Sequence, residues 1–171
     1  NIDIPSIVRK TVREIGYTSS EYGFDADTCA VYTILDKQSP DIEMGVNNAL
    51  EGREQNENDT GAGDQGMMFG YACSETDELM PMPITLSHAL TKRLAEVRKS
   101  GELDFLRPDG KAMVSLAYEN GVPVGVKTVV VSAQHAPDAT EKQIRDGIID
   151  CVVKRVIPDK LLRGADILIN P

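Results

Sequence analysis

Two apolar runs, Met113 to Glu119 and Val122 to Ser132, meet at Asn120-Gly121, and no other stretch of the chain narrows the fold so far. Asn-Gly supplies two successive residues that tolerate positive φ, as required by the tight turn whose twist matches paired antiparallel strands. The runs therefore read as a hairpin. Helices flank it in the sequence. Met80-Pro81-Met82-Pro83 forces an extended entry into a helix from Pro83 to Lys99. Leu86, Leu90, Leu94 and Val97 share one face of that helix, and Ser100-Gly101 ends it. Thr140-Glu-Lys-Gln143 is a capping box that opens a second helix through Ile144, Ile148, Val152 and Val156, stopped by Pro158. A last strand covers Asp166 to Ile169. The expected class is α+β: a largely antiparallel sheet with helices packed on one face.

The first third of the chain is less regular. Asp3 can cap a helix to Ile15, with Pro5 in its first turn, Ile7, Val8, Val12 and Ile15 on one stripe and Gly16 as the stop. Cys29 to Leu35 and Met67 to Cys73 read as short strands. Between them, Lys37 to Gly63 shows no periodicity. Its Glu51–Thr60 part carries four acids, one arginine and no apolar residue, so nothing there offsets the entropy of ordering. So long a structureless run is a lid, a binding loop or a linker.

With 41% hydrophobic and 26% charged residues the chain can bury a real core. Its net charge of −9 argues against nucleic acid and anionic membrane as partners, because phosphates would be repelled. A phosphate-bearing small ligand is still allowed, held by a few local cations or a metal ion. Cys29, Cys73 and Cys151 are scattered, without a C-x-x-C pair, and read as buried thiols in a reducing compartment. No apolar run is long enough for a membrane span, and no signal peptide is visible, so a cytoplasmic location is expected. The chain starts at Asn1 and stops just after Ile167-Leu168-Ile169; both ends look cut.

Four places could carry chemistry. Gly61-Ala-Gly63-Asp64-Gln65-Gly66 matches the dinucleotide-binding pattern G-x-G-x-x-G, but that pattern needs a strand before it and a helix after it. A polar loop precedes this one and a strand-like run comes after it. Asp64 then serves either a tight turn or a site. Arg107-Pro108-Asp109-Gly110-Lys111 has the composition of a turn that places Lys111 at a strand start. There the lysine could offer a point charge to phosphate and Asp109 could accept from hydroxyls or amines. His88 reads as a packing or capping residue on its helix, and His135 as a site residue or a loop-end hydrogen-bonding group. Two histidines leave little material for a histidine metal cluster or a Ser-His-Asp triad, and no P-loop is present.

Gly61 to Ala72 resembles the S-adenosylmethionine synthetases (methionine adenosyltransferases), whose signature hexapeptide and apolar continuation it matches. Lys37-Gln-Ser-Pro-Asp-Ile42, Glu75-Thr-Asp-Glu-Leu-Met-Pro-Met-Pro-Ile84 and Leu106-Arg-Pro-Asp-Gly-Lys111 stand around it in the family's order. The resemblance implies an enzyme that joins L-methionine to ATP, uses Mg²⁺ and K⁺, and builds paired active sites across a homodimer, often within a homotetramer. It implies that Gln38 contacts methionine at the start of a flexible loop including Ser39, Pro40 and Asp41. It places Asp64 near methionine and the adenosyl group, and Asp109, Gly110 and Lys111 against ATP. Lys111 and Asp64 would be catalytic, their side chains converging on one nucleotide-sized hollow. Residues 1–50 would be the end of an N-terminal domain, 51–60 an acidic linker longer than the family norm, and 61–171 the central domain.

The family's Gly-His-Pro-Asp-Lys stretch, its acids for K⁺ and its later Arg-Phe and lysine-bearing segments are missing from these residues. Most metal ligands would therefore lie outside this segment. The 171 residues alone should be inactive, and should self-associate through an exposed sheet face. The alternative is a non-catalytic nucleotide-binding or dimerisation module of the same fold.

Overall fold

The computed structural model describes residues 2–49 and 61–171. They fall into two compact units: Val31–Gly70, and a second built from Asn1–Ala30 with Tyr71–Pro171.

The hairpin dominates the larger unit. Strand β1 (Leu106–Glu119) pairs antiparallel with β2 (Val122–His135). The turn takes positive φ at both Asn120 (50°) and Gly121 (79°), the two-residue geometry that Asn-Gly favours. Strand β3 (Asp166–Ile169) adds beside β2, giving the order β1-β2-β3. It runs parallel to β2, because the chain returns through a helical crossover instead of a tight turn. The α+β class holds. The sheet, however, is mixed: antiparallel within the hairpin only.

Helix α1 spans Ile4–Ile15, α2 Pro40–Asn47 and α3 Met82–Ser100. After the hairpin, α4 (Glu141–Ile148) opens on the expected reciprocal Thr140–Gln143 box. It passes through a π-helical turn, Ile149–Val153, into α5 (Lys154–Val156), and α6 (Asp159–Leu162) comes next. The wider turn moves the apolar stripe by one residue. Ile144 and Ile148 are buried before it, Val152 and Val153 within it, and Ile157 after it. Val156, expected on the stripe, is only partly buried. These side chains join Leu90, Leu94 and Val97 of α3 over Val114, Val126, Val129 and Val131, so the core lies on one side of the sheet.

Helix α3 starts without a cap of its own, since its N-cap residue is Pro81. Glu75 takes that role from seven residues upstream: its Oε2 accepts from the Met82 backbone N–H (2.9 Å) and from the Tyr118 hydroxyl (2.8 Å). Partial burial, then the adjacent carboxylate, push the Tyr118 phenol up to about 12. A phenol raised above its ordinary value of 10.0 contributes stability that is complete below that pH and is lost as pH climbs towards the folded value. Tyr118→Phe is expected to remove this alkaline slope in chemical denaturation. Glu75→Ala should cost about 0.5–2 kcal/mol, the usual effect of losing an N-terminal cap.

Helix α1 begins as expected, with the Asp3 side chain accepting from the Ser6 N–H, and ends at Gly16. Ile7 and Ile15 stay largely exposed. Arg9 donates to the carbonyls of Ala26 (2.6 Å), Asp27 (2.9 Å) and Cys29 (2.8 Å), which fastens the chain just before residue 31.

Several sequence expectations are overturned. Neither Cys29–Leu35 nor Met67–Cys73 is a strand. Their apolar side chains are open to solvent (Ile34 93%, Met68 91% exposed), and neither backbone has a ladder partner among the described residues. The Lys37–Gly63 run is not featureless, since α2 lies within it, started by Ser39 with Pro40 in its first turn. Glu51–Thr60 lies outside the described residues. The three cysteines are half-buried free thiols, not fully buried ones. His88 is exposed and neither caps nor packs in the core; it lines an open groove with Met80, Ile84 and Lys92.

Candidate functional site

The predicted Pro108-Asp109-Gly110 turn is absent. These residues lie inside β1, where the pairing slips: Leu106 faces His135 and Gly110 faces Ala133. Four steps along β1 thus match two along β2, so Arg107–Asp109 form a bulge. Proline has no N–H to give to a ladder, and bulges are where strands tolerate it.

The bulge sets which way the next residues face. A Cβ built on Gly110 would sit 3.4 Å from Leu94 Cδ1 of α3, so Gly110 faces the helix layer. Side chains alternate along a strand, which puts Lys111 on the opposite face of the sheet. Lys111 is paired with Ser132 there, one row from Met113, Val130 and Leu168. That row crosses all three strands and leaves Met113 and Leu168 exposed (52% and 42%). Lys111 and Asp109 are both exposed. Among the described residues neither enters a side-chain hydrogen bond or an ion pair.

Asp109 and Gly110 also border a cleft of about 50 Å³, with Leu94 and Arg98. Small-molecule sites occupy roughly 300–1,000 Å³. A nucleotide would therefore need a further surface.

Apart from the two histidines, the other sequence candidates belong to the Val31–Gly70 unit. Gly61 lies against α2. Its N–H donates to the Val46 carbonyl (2.9 Å), and a Cβ there would come within 2.8 Å of the Ala49 Cβ. Asp64 is exposed, and its Oδ1 accepts from the Gln65 N–H (2.7 Å). No helix opens directly after Gly66, which removes the dinucleotide-fold reading. Gln38 is exposed on an extended segment, Ser39 is the N-cap of α2 without a side-chain cap bond, and Pro40 and Asp41 form its first turn. His135 ends β2, half-buried, with Nδ1 2.8 Å from the Ala136 carbonyl, the loop-end role considered for it.

Two interactions escaped the sequence reading. Arg107 stacks its guanidinium 4.8 Å from the Tyr22 ring centre, and Asn170 treats Ala133 as a strand partner. The Asn170 side chain accepts from the Ala133 N–H (2.8 Å) and donates to its carbonyl (3.1 Å). Arg107–Tyr22 has no local signature. Asn170-Pro171 could have signalled only a strand end. Among the described residues no three His, Cys, Asp or Glu side chains converge to hold a metal ion, and no helix is long and apolar enough to cross a membrane.

Residues 59–171 match the family model "S-adenosylmethionine synthetase, central domain", and residues 1–40 match the N-terminal domain model of the same enzymes. The S-adenosylmethionine synthases of two Thermus thermophilus strains are each 58% identical over 176 residues, covering 99% of this chain and 45% of each relative. That of Clostridium acetobutylicum is 58% identical over 174 residues, covering 99% of this chain and 44% of the relative. The chain thus spans a little under half the length of these curated relatives.

Proposed function

Because the chain belongs to the S-adenosylmethionine synthetase family, we propose that the protein carrying it makes S-adenosylmethionine from ATP and L-methionine. The methionine sulfur attacks C5′ of ATP. An S–C5′ bond forms, the C5′–O bond breaks, and the triphosphate leaves with the electron pair before hydrolysis to phosphate and pyrophosphate. Residues 1–50 and 61–171 are assigned to the N-terminal and central domains, with 51–60 as their linker.

Charge development assigns the roles. Negative charge grows on the leaving triphosphate, and a fixed cation stabilises it most where water is excluded. Lys111 is that cation. Positive charge grows on sulfur, which the Asp64 carboxylate offsets from the methionine side. Gln38 holds methionine where the chain enters α2, the start of a segment with Ser39, Pro40 and Asp41 that closes the site. Asp109 accepts from nucleotide hydroxyl or amine groups, and Gly110 lets the backbone approach.

The observation that carries this reading is the pair Lys111 and Asp109. Both are exposed and without a protein partner among the described residues; Asp109 borders a cleft too small for a nucleotide, and Lys111 stands on the other face of the sheet. A second copy of the chain meeting the Met113–Val130–Leu168 row completes the hollow, which makes the working unit a homodimer or a tetramer of such dimers, located in the cytoplasm. Mg²⁺ and K⁺ would neutralise the phosphates. The ligands of these ions are proposed to lie mostly outside this segment, and no step is assigned to them.

The 171-residue chain assayed alone is expected to release neither phosphate nor S-adenosylmethionine from ATP and methionine, and to scatter light as a dimer or larger species. The longer protein bearing the family's remaining motifs should do both reactions. Turnover by the isolated chain would refute its expected inactivity; none by the longer protein overturns the proposal.

A further inference from the structure

We propose that Arg107 and Tyr22 form a brace that positions Asp109 and Lys111 for ATP, the lysine at its triphosphate, so that Arg107 and Tyr22 act through the β1 bulge and not by touching nucleotide. This brace rests on the ATP-binding role proposed for Asp109–Lys111.

The bulge is pinned at both ends and free in the middle. Before it, the Ala136 N–H donates to the Phe105 carbonyl (2.7 Å), and Leu106 pairs with His135. After it, Gly110 pairs with Ala133, whose other edge is taken up by the Asn170 side chain. Arg107, Pro108 and Asp109 lie between, outside the register, and Pro108 offers no N–H. Their path needs another restraint, and Arg107 supplies it. Its Nη1 donates to the Asp104 carbonyl (3.1 Å) and the Leu106 carbonyl (3.2 Å), while the guanidinium lies over the Tyr22 ring at 4.8 Å.

Tyr22 is a firm platform. Its N–H donates to the Ser19 carbonyl (3.1 Å), and the Gly23 N–H to the Ser20 carbonyl (3.0 Å). Gly23 closes the short turn at φ 80°, and the Gln134 amide of β2 reaches the Tyr22 carbonyl at 3.5 Å. The contact thus joins residue 22 to the strand that carries Lys111. Arg107 could instead be read as a phosphate ligand. Its Nη1 is already directed at two backbone carbonyls and its face is stacked on Tyr22, which argues for support over binding.

The test uses the full-length protein with these residue numbers. It compares Tyr22→Leu, Tyr22→Phe, Arg107→Met, the Tyr22→Leu/Arg107→Met double variant and Lys111→Ala. The readouts are KM for ATP, KM for methionine, inhibition by inorganic tripolyphosphate, and the thermal midpoint. Tyr22→Leu and Arg107→Met should each weaken ATP and tripolyphosphate roughly tenfold, because a misplaced cation loses its alignment, and leave KM for methionine unchanged. Tyr22→Phe keeps the ring face and should stay within about twofold of wild type. The double variant should be no worse than either single one, as coupled neighbours require.

Additive losses, or weakening by Arg107→Met but not by Tyr22→Leu, would make Arg107 a direct phosphate ligand and overturn the brace. A fall in thermal midpoint with both KM values moving together would mark a merely structural contact and overturn it equally. If Lys111→Ala leaves ATP and tripolyphosphate unaffected, the assignment of the Asp109–Lys111 stretch itself fails, and the brace falls with it.

Discussion

Lys111→Ala in the full-length protein is expected to lower kcat by about two to three orders of magnitude, the usual loss when one preorganised group opposite a developing charge is removed. The reason lies in where the fold puts the ammonium. Lys111 comes just after the bulge, faces away from α3, and is exposed with no ion-pair partner among the described residues. Its charge is uncommitted until a ligand arrives. Lys111→Arg should restore only part of the loss, since a planar fork does not substitute for a compact point charge. The thermal midpoint should not move, because no core contact is removed. Single-turnover assays with ATP and methionine separate the two effects. Full activity in Lys111→Ala would remove the triphosphate role.

Leu90→Ala should destabilise the chain by about 2–5 kcal/mol, the cost of deleting a fully buried leucine and leaving a cavity. Leu90 is fully buried, in the middle of α3, and belongs to the cluster that joins both helices to the sheet. A domain of this size is stable by only about 5–15 kcal/mol, so a large share of the total is at stake. Leu168→Ala is the informative contrast. Leu168 lies on the other side of the sheet and is 42% exposed; its loss should leave urea unfolding of the monomer nearly unchanged while weakening self-association. Equal destabilisation by both changes would mean that the sheet buries both faces within one chain.

The parts read correctly from sequence share one property: their cause is local. Asn120-Gly121 makes its own turn, Thr140 and Gln143 satisfy one another's backbone, and Gly101 ends α3 at φ 76°. Leucines four residues apart identify the buried face of α3 without knowledge of what covers it. The family signature was equally visible, and it drew attention to Gln38, Asp64 and Lys111 when their surroundings were unknown.

The misreadings share the opposite property. Cys29–Leu35 and Met67–Cys73 have strand composition, but a strand exists only where a second backbone accepts its hydrogen bonds, and composition says nothing about that partner. Pro108-Asp109-Gly110 has turn chemistry, yet β2 continues past it as far as His135, and the ladder absorbs the three residues as a bulge. Helix α2 carried a legible signal in Ser39-Pro40-Asp41 that the acidic run beyond it obscured.

By itself, then, the sequence determined the hairpin turn, the caps of the first helix and of α4, the buried face of α3 and the family, since each depends on neighbours within a few positions or on matching blocks in order. Only the tertiary structure decided the parallel placement of β3, the bulge that turns Lys111 to the open face, and the Arg107–Tyr22 contact. Those depend on groups far apart in the chain, whose meeting is set by how the chain closes on itself and not by any local preference.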